Sequence, residues 1–182
     1  DMEPTPDSLH KLEVNIYHTP IHQESFHNAT FLIHTEVTDD ELIGYHEYER
    51  SMEDHFEAVI KKATEHYRMA YDLSDEDKPE EAISHYTEAI NLIPTFYEAI
   101  DNRAFCKMDL ERWRDAIADF ELSLQVNPAS LLAEFSIGEC YYRLGEFVKA
   151  KEQFEKCVNL DPNHQVSKDC LIKTEELIRQ GS

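Results

Sequence analysis

The sequence predicts an all-α fold of stacked helical hairpins, and three observations predict it. Proline recurs at Pro94, Pro128 and Pro162, each closing an apolar run, at two successive steps of 34 residues. Four further columns keep the step: Ala82, Ala116 and Ala150; Tyr86, Phe120 and Phe154; Ala70, Ala104 and Gly138; Ala89, Ser123 and Cys157. Between them, apolar residues return every three or four positions, the period of a helix with one buried face. A step of this length marks a repeat array, whose units bury their apolar faces only by stacking.

Residues 1–37 form an N-terminal extension. Leu12, Val14 and Ile16 alternate, as do Phe31, Ile33, Thr35 and Val37, and a period of two belongs to strands. Pro4, Pro6 and Pro20 limit regular pairing. The segment therefore reads either as two short strands in a β-hairpin or as irregular, partly flexible chain. Residues 38–62 read as a leading helix. Thr38-Asp39-Asp40-Glu41 is a capping box, and Leu42, Tyr45, Met52, Phe56 and Val59 follow at helical spacing. This helix either continues into the first repeat or breaks near Ser51, and it is expected to cover the open N-terminal end of the array.

Three units follow, at 63–96, 97–130 and 131–164, each two amphipathic helices and a stop. The third is the clearest. Phe135, Ile137, Gly138, Tyr141 and Leu144 share one helix, Gly145 ends it, and Ala150, Phe154 and Val158 lie on one face of the next. Small residues bring two helices close, and the aromatic opposite fills the remaining gap. Residues 165–180 read as a capping helix, with Val166, Cys170, Leu171, Thr174, Leu177 and Ile178 on the packed side and charge on the other.

The segments "EFSIGECYYRLGEFVKAKEQFEKCVNLDPNH" and "IDNRAFCKMDLERWRDAIADFELSLQVNP" carry a family resemblance. From Ala63 to His164 the chain resembles the tetratricopeptide repeat (TPR) family. The first unit departs from the family pattern, with Asp77-Lys78-Pro79 where a glycine-containing turn is usual.

Charge narrows the function. The formal net charge is −21, which argues against nucleic acid and anionic membrane as partners. The excess is uneven: residues 1–60 hold 14 acids against two bases, Lys11 and Arg50. Only four glycines are present, with no GxGxxG or P-loop string, so no nucleotide cofactor is expected. No leader-like or membrane-spanning segment stands out, so a cytoplasmic location is expected.

No reactive centre is expected either, and the chain reads as non-enzymatic. Cys106, Cys140, Cys157 and Cys170 form no CxxC pair; they read as small buried thiols. Eight of the ten histidines precede residue 67, yet Pro20 spoils His18/His22 as a helical ligand pair and His46-Glu47 lacks the second histidine of HExxH. No metal site is predicted.

The resemblance implies a concave face lined by the first helix of each unit. Carried over residue by residue, that face includes Tyr67, Tyr71, Glu98, Asp101, Asn102, Phe105, Asp109, Phe135, Glu139 and Tyr142 as candidate partner-binding residues, with Arg68 and Arg143 as its arginines. Acids around aromatics suit a basic protein or peptide. The resemblance also implies a test. Family members that hold acidic chaperone tails use a clamp of lysines, asparagines and an arginine, and the matching places here are Tyr67, Tyr71, Asn102, Leu132 and Ser136. Only Asn102 fits, so no acidic chaperone tail is expected as ligand. The sequence reading is thus an interaction module for a basic partner. Its most concrete form is an immunity-type inhibitor of a cationic toxin or enzyme; the alternatives are a secretion-type chaperone or adaptor, or a structural subunit. Homo-oligomerisation is left open.

Overall fold

The structure is a computed structural model. It describes residues 10–11, 14–18, 27–31, 36–37 and 39–181, with side-chain burial from Arg50 onward, Met52 aside. The chain divides into two compact units, Asp1–Ala58 and Val59–Ser182.

In the first unit four short strands pair antiparallel: β1 (His10–Lys11) with β4 (Glu36–Val37), and β2 (Val14–His18) with β3 (His27–Phe31). The inner pair runs in register from Val14 opposite Phe31 to His18 opposite His27. The rest of the extension lies outside the described residues. Each run of alternating residues supplies two strands rather than one; Leu12, Ile33 and Thr35 lie outside the described residues. Helix α1 (Asp39–Asp75) starts where the capping box places it and runs 37 residues without a break at Ser51. The leading helix and the first helix of the first repeat are thus one element.

The second unit continues with α2 (Pro79–Leu92), α3 (Tyr97–Asp109), α4 (Trp113–Val126), α5 (Leu131–Arg143), α6 (Phe147–Leu160) and α7 (Gln165–Gln180). Each of α2 to α7 packs on its neighbour in sequence, as a stack of hairpins must. Helices α2, α4 and α6 each stop two residues before the repeated proline, which disfavours helix in the residue preceding it. At the start of α5, the Ser130 hydroxyl accepts from the Ala133 amide at 3.2 Å. No helix among the described residues is long and apolar enough to cross a membrane.

The three turns inside the hairpins are one structure. Asp77, Glu111 and Gly145, again 34 apart, have φ of 60°, 55° and 74°. After each, the next amide closes back on the preceding helix: Lys78 to the Leu73 carbonyl at 3.0 Å, Arg112 to Lys107 at 2.8 Å, Glu146 to Tyr141 at 2.9 Å. The first unit's turn lacks glycine and keeps the same geometry, with Pro79 at the first position of α2, where its missing N–H costs nothing.

The repeated columns are the core. Ala82, Ala116 and Ala150, the rings of Tyr86, Phe120 and Phe154, and Ala89, Ser123 and Cys157 are all buried. A Cβ at Gly138 would meet the Phe154 ring at 2.7 Å, so this column accepts no more than a glycine in the third unit. Cys106, Cys140 and Cys157 are buried free thiols, and Cys170 is half-buried. On α7, Val166 is 53% exposed, outside the packed face expected for it.

Candidate functional site

The first helices of the repeats, α1 beyond Val59, α3 and α5, carry the ten candidate residues, and the structure divides them into three groups. One group turns inward. The Phe105 ring packs edge-on against Phe120, with centroids 5.2 Å apart, within the core around Ala104 and Ile137. Phe135 lies 5.6 Å from Phe154 and 5.7 Å from the His164 ring. Asp101 is 6% exposed on α3, beside Ser123 of α4. Burial raises its pKa; Ser123 pulls the other way and Glu98 adds to the rise.

A second group lies nearer the surface. Tyr71 is 51% exposed and Asp109 is exposed at the end of α3. Glu98 is half-buried next to Tyr97, whose hydroxyl is pushed up to about 12 by burial and by Glu98. Tyr67 is half-buried: its ring stacks on Phe96 at 4.9 Å and its hydroxyl accepts from Asn102 Nδ2 at 2.9 Å. That bond fixes the orientation of the Asn102 amide.

The third group forms a site. Glu139, Tyr142 and Arg143 of α5, Phe154 of α6, and Cys170 and Lys173 of α7 line a cavity of about 250 Å³. The Lys173 ammonium lies 5.4 Å over the Tyr142 ring, and the Arg143 guanidinium 5.9 Å over the Trp113 ring. Such contacts hold a cation in place while leaving its N–H groups available. Neither cation has a carboxylate within salt-bridge distance among the described residues. Glu139 is half-buried; burial raises its pKa and Arg143 opposes the rise.

Two cations at this cavity were not read from sequence as a pair. Arg143 was placed on the concave face, but Lys173 sits on the capping helix, whose charged side was read as solvated. The signal present in the sequence was the spacing Cys170–Lys173, which puts both residues on one side of α7.

The same geometry weakens the acidic-groove expectation. Asp101 and Glu139, two of the acids assigned to it, are partly or wholly buried, which raises their pKa values. The chain's negative excess is also concentrated in its first sixty residues.

Comparison with known proteins places this scaffold. The sequence model of the tetratricopeptide repeat matches residues 132–164. Sperm-associated antigen 1 of Rattus norvegicus is 28% identical over 102 residues, covering 56% of this chain and 11% of that protein. Hsp70-Hsp90 organizing protein 1 of Glycine max is 30% identical over 122 residues, covering 67% of this chain and 21% of that protein. The chain thus spans only a small part of the curated relatives it matches.

Among solved structures, the first TPR of Spaghetti (RPAP3) bound to the HSP90 peptide SRMEEVD superposes with a TM-score of 0.62 at 23% identity, covering 66% of this chain and 95% of that one. The TPR2B domain of yeast Sti1 in its pHsp70 complex gives 0.60 at 20% identity, covering 64% and 98%. These findings overturn one expectation. Lack of the clamp residues was taken to exclude an acidic chaperone tail, yet neighbours of the same fold are solved with such peptides, SRMEEVD among them. The expected preference for a basic partner falls with it. The relatives named for organising Hsp70 and Hsp90 fit the adaptor alternative and lend nothing to the toxin-inhibitor reading. This chain's 34-residue columns and stacked hairpins thus have the tetratricopeptide-repeat fold, and residues 132–164 match the repeat itself.

Proposed function

We propose that this chain is a non-enzymatic adaptor that seats the acidic C-terminal tail of an Hsp70- or Hsp90-type chaperone on the face formed by α1, α3, α5 and the adjoining side of α7. The observation that carries the reading is the cavity between α5 and α7, where Arg143 and Lys173 are held by aromatic rings and, among the described residues, engage no carboxylate within salt-bridge distance. A tail ending in Glu-Glu-Val-Asp brings three acidic side chains, a terminal carboxylate and one apolar side chain. The carboxylates pair with the guanidinium and the ammonium. The valine meets the Tyr142 ring, and Asn102, oriented by Tyr67, donates to the peptide from α3. Tyr67, Tyr71, Leu132 and Ser136 replace the usual clamp side chains, so the cations act from a different place on the same scaffold.

Titration of labelled SRMEEVD and SGPTIEEVD peptides with the full chain, followed by fluorescence anisotropy, tests this. Saturable binding that weakens with salt, and roughly tenfold on C-terminal amidation, is the expected result. Absence of saturable binding by either peptide, or equal binding of the amidated forms, overturns it.

A further inference from the structure

His66 on α1 and His85 on α2 face each other across the first hairpin. Their Nδ1 atoms are 3.1 Å apart, their ring centroids 5.4 Å, and both rings are half-buried. No local motif announces the pair, because the two residues are 19 apart in sequence and meet only when the helices pack. The histidines weighed from sequence were those close to one another along the chain. The geometry points to a binding site for a single borderline divalent metal ion, of the zinc, nickel or copper class, held by the Nδ1 atoms of His66 and His85.

Imidazole nitrogens bind these ions at about 2.0–2.1 Å. Two such bonds meeting at a tetrahedral angle set the nitrogens about 3.4 Å apart, and at a right angle about 2.9 Å. The observed separation lies between these values. In the metal-free chain one Nδ1–H donates to the other Nδ1, so at least one ring presents its lone pair. Binding displaces that bridging proton, which passes through solvent to Nε2 of the same ring, so both neutral imidazoles present Nδ1 lone pairs to the ion. It asks each ring only for a rotation about χ2, a broad torsion, and water completes the coordination shell. The ion would tie α1 to α2 in the hairpin whose turn is built on Asp77 rather than glycine. Metal bound only by the folded chain raises its stability by mass action.

The test is thermal unfolding of the chelator-stripped full chain with and without Zn²⁺, beside His66→Gln, His85→Gln and the double variant. Isothermal titration with Zn²⁺ and copper electron paramagnetic resonance accompany it. The expected result is a Zn²⁺-dependent rise in Tm for the wild type, reduced to the same residual level in both single variants and the double variant. Each single variant loses roughly tenfold or more in zinc affinity at one site, and the Cu²⁺ spectrum of the wild type shows nitrogen coupling that both single variants diminish. A Tm rise and Zn²⁺ isotherm unchanged in the variants would assign the metal to other histidines and overturn the proposal. So would a wild type whose Tm and spectrum do not respond. If a variant's own Tm falls, the isotherm and the spectrum still decide.

Discussion

Arg103 of α3 and Asp119 of α4 meet fork to fork, Nε to Oδ2 and Nη2 to Oδ1, both at 2.8 Å, with the carboxylate side chain only 7% exposed. Lys107 adds a 2.6 Å contact to Oδ2, and Arg103 Nη1 reaches back to the Thr87 hydroxyl on α2 at 3.1 Å. One carboxylate thus ties α4 to α3, and the arginine extends the link to α2. Asp119→Ala leaves two cations partly buried and unpaired, and such breakage costs about 3–5 kcal/mol. A urea midpoint close to wild type would contradict this. Replacing the pair together, as Arg103→Met with Asp119→Leu, costs much less; chemical denaturation of both variants separates the network's geometry from its charge.

The hairpin turns give a second prediction. Glu111 occupies the left-handed position that Gly145 fills one repeat later. A side chain there costs about 1–2 kcal/mol, and glycine's extra freedom in the unfolded chain returns part of that gain. Glu111→Gly is expected to stabilise by about 0.5–1 kcal/mol and Gly145→Ala to destabilise by about 1 kcal/mol. Asp77→Gly gains less, because aspartate tolerates this region better. Thermal unfolding of the three variants checks the order.

Asp101 makes stability depend on pH. Its folded-state pKa is raised, mainly by burial, so the folded chain keeps a proton that the unfolded chain has already released. Its contribution is therefore fully present below the ordinary aspartate range and is lost as pH rises through the raised value. Asp101→Asn removes the buried charge while keeping the shape. The variant is expected to exceed wild type in stability at neutral pH, with the advantage shrinking as pH falls toward the ordinary carboxylate range. Urea unfolding at the two conditions reads this; an advantage independent of pH would contradict it.

Binding and folding variants should separate. Phe105 is one of the candidate partner-binding residues named from the sequence. Because its ring packs on Phe120, the structure predicts that Phe105→Ala loses roughly 2–3 kcal/mol in stability. Lys173→Ala and Arg143→Ala, by contrast, should leave the urea midpoint nearly unchanged and weaken tail binding, which circular dichroism and anisotropy together report.

The repeat was legible because its physical requirement repeats. A small residue facing an aromatic is needed wherever two helices of a hairpin touch, so Ala82, Tyr86 and Ala89 announce themselves again at Ala116, Phe120 and Ser123. The left-handed turn residue was legible at Gly145 and not at Asp77 or Glu111, where an ordinary residue bears the strain and leaves no mark in composition. The candidate site was legible only in part. Assigning Phe105 and Phe135 to the open face required the rotation of each helix about its axis, and aromatics at the edge of that face turn inward to meet Phe120 and Phe154. A count of acids also ignores burial, which raises the pKa of Asp101 and Glu139. Lys173 and the His66–His85 pair depend on contacts between helices, which no local pattern encodes.

The central claim is that an acidic tail is held between α3, α5 and α7. Nuclear magnetic resonance titration of the isotope-labelled full chain with SRMEEVD tests it most directly. The account predicts saturable shifts at Asn102, Glu139, Tyr142, Arg143 and Lys173, which need roughly tenfold more peptide when its terminal carboxylate is amidated. Shifts confined to residues 1–58, or no shifts at peptide excess, would contradict it.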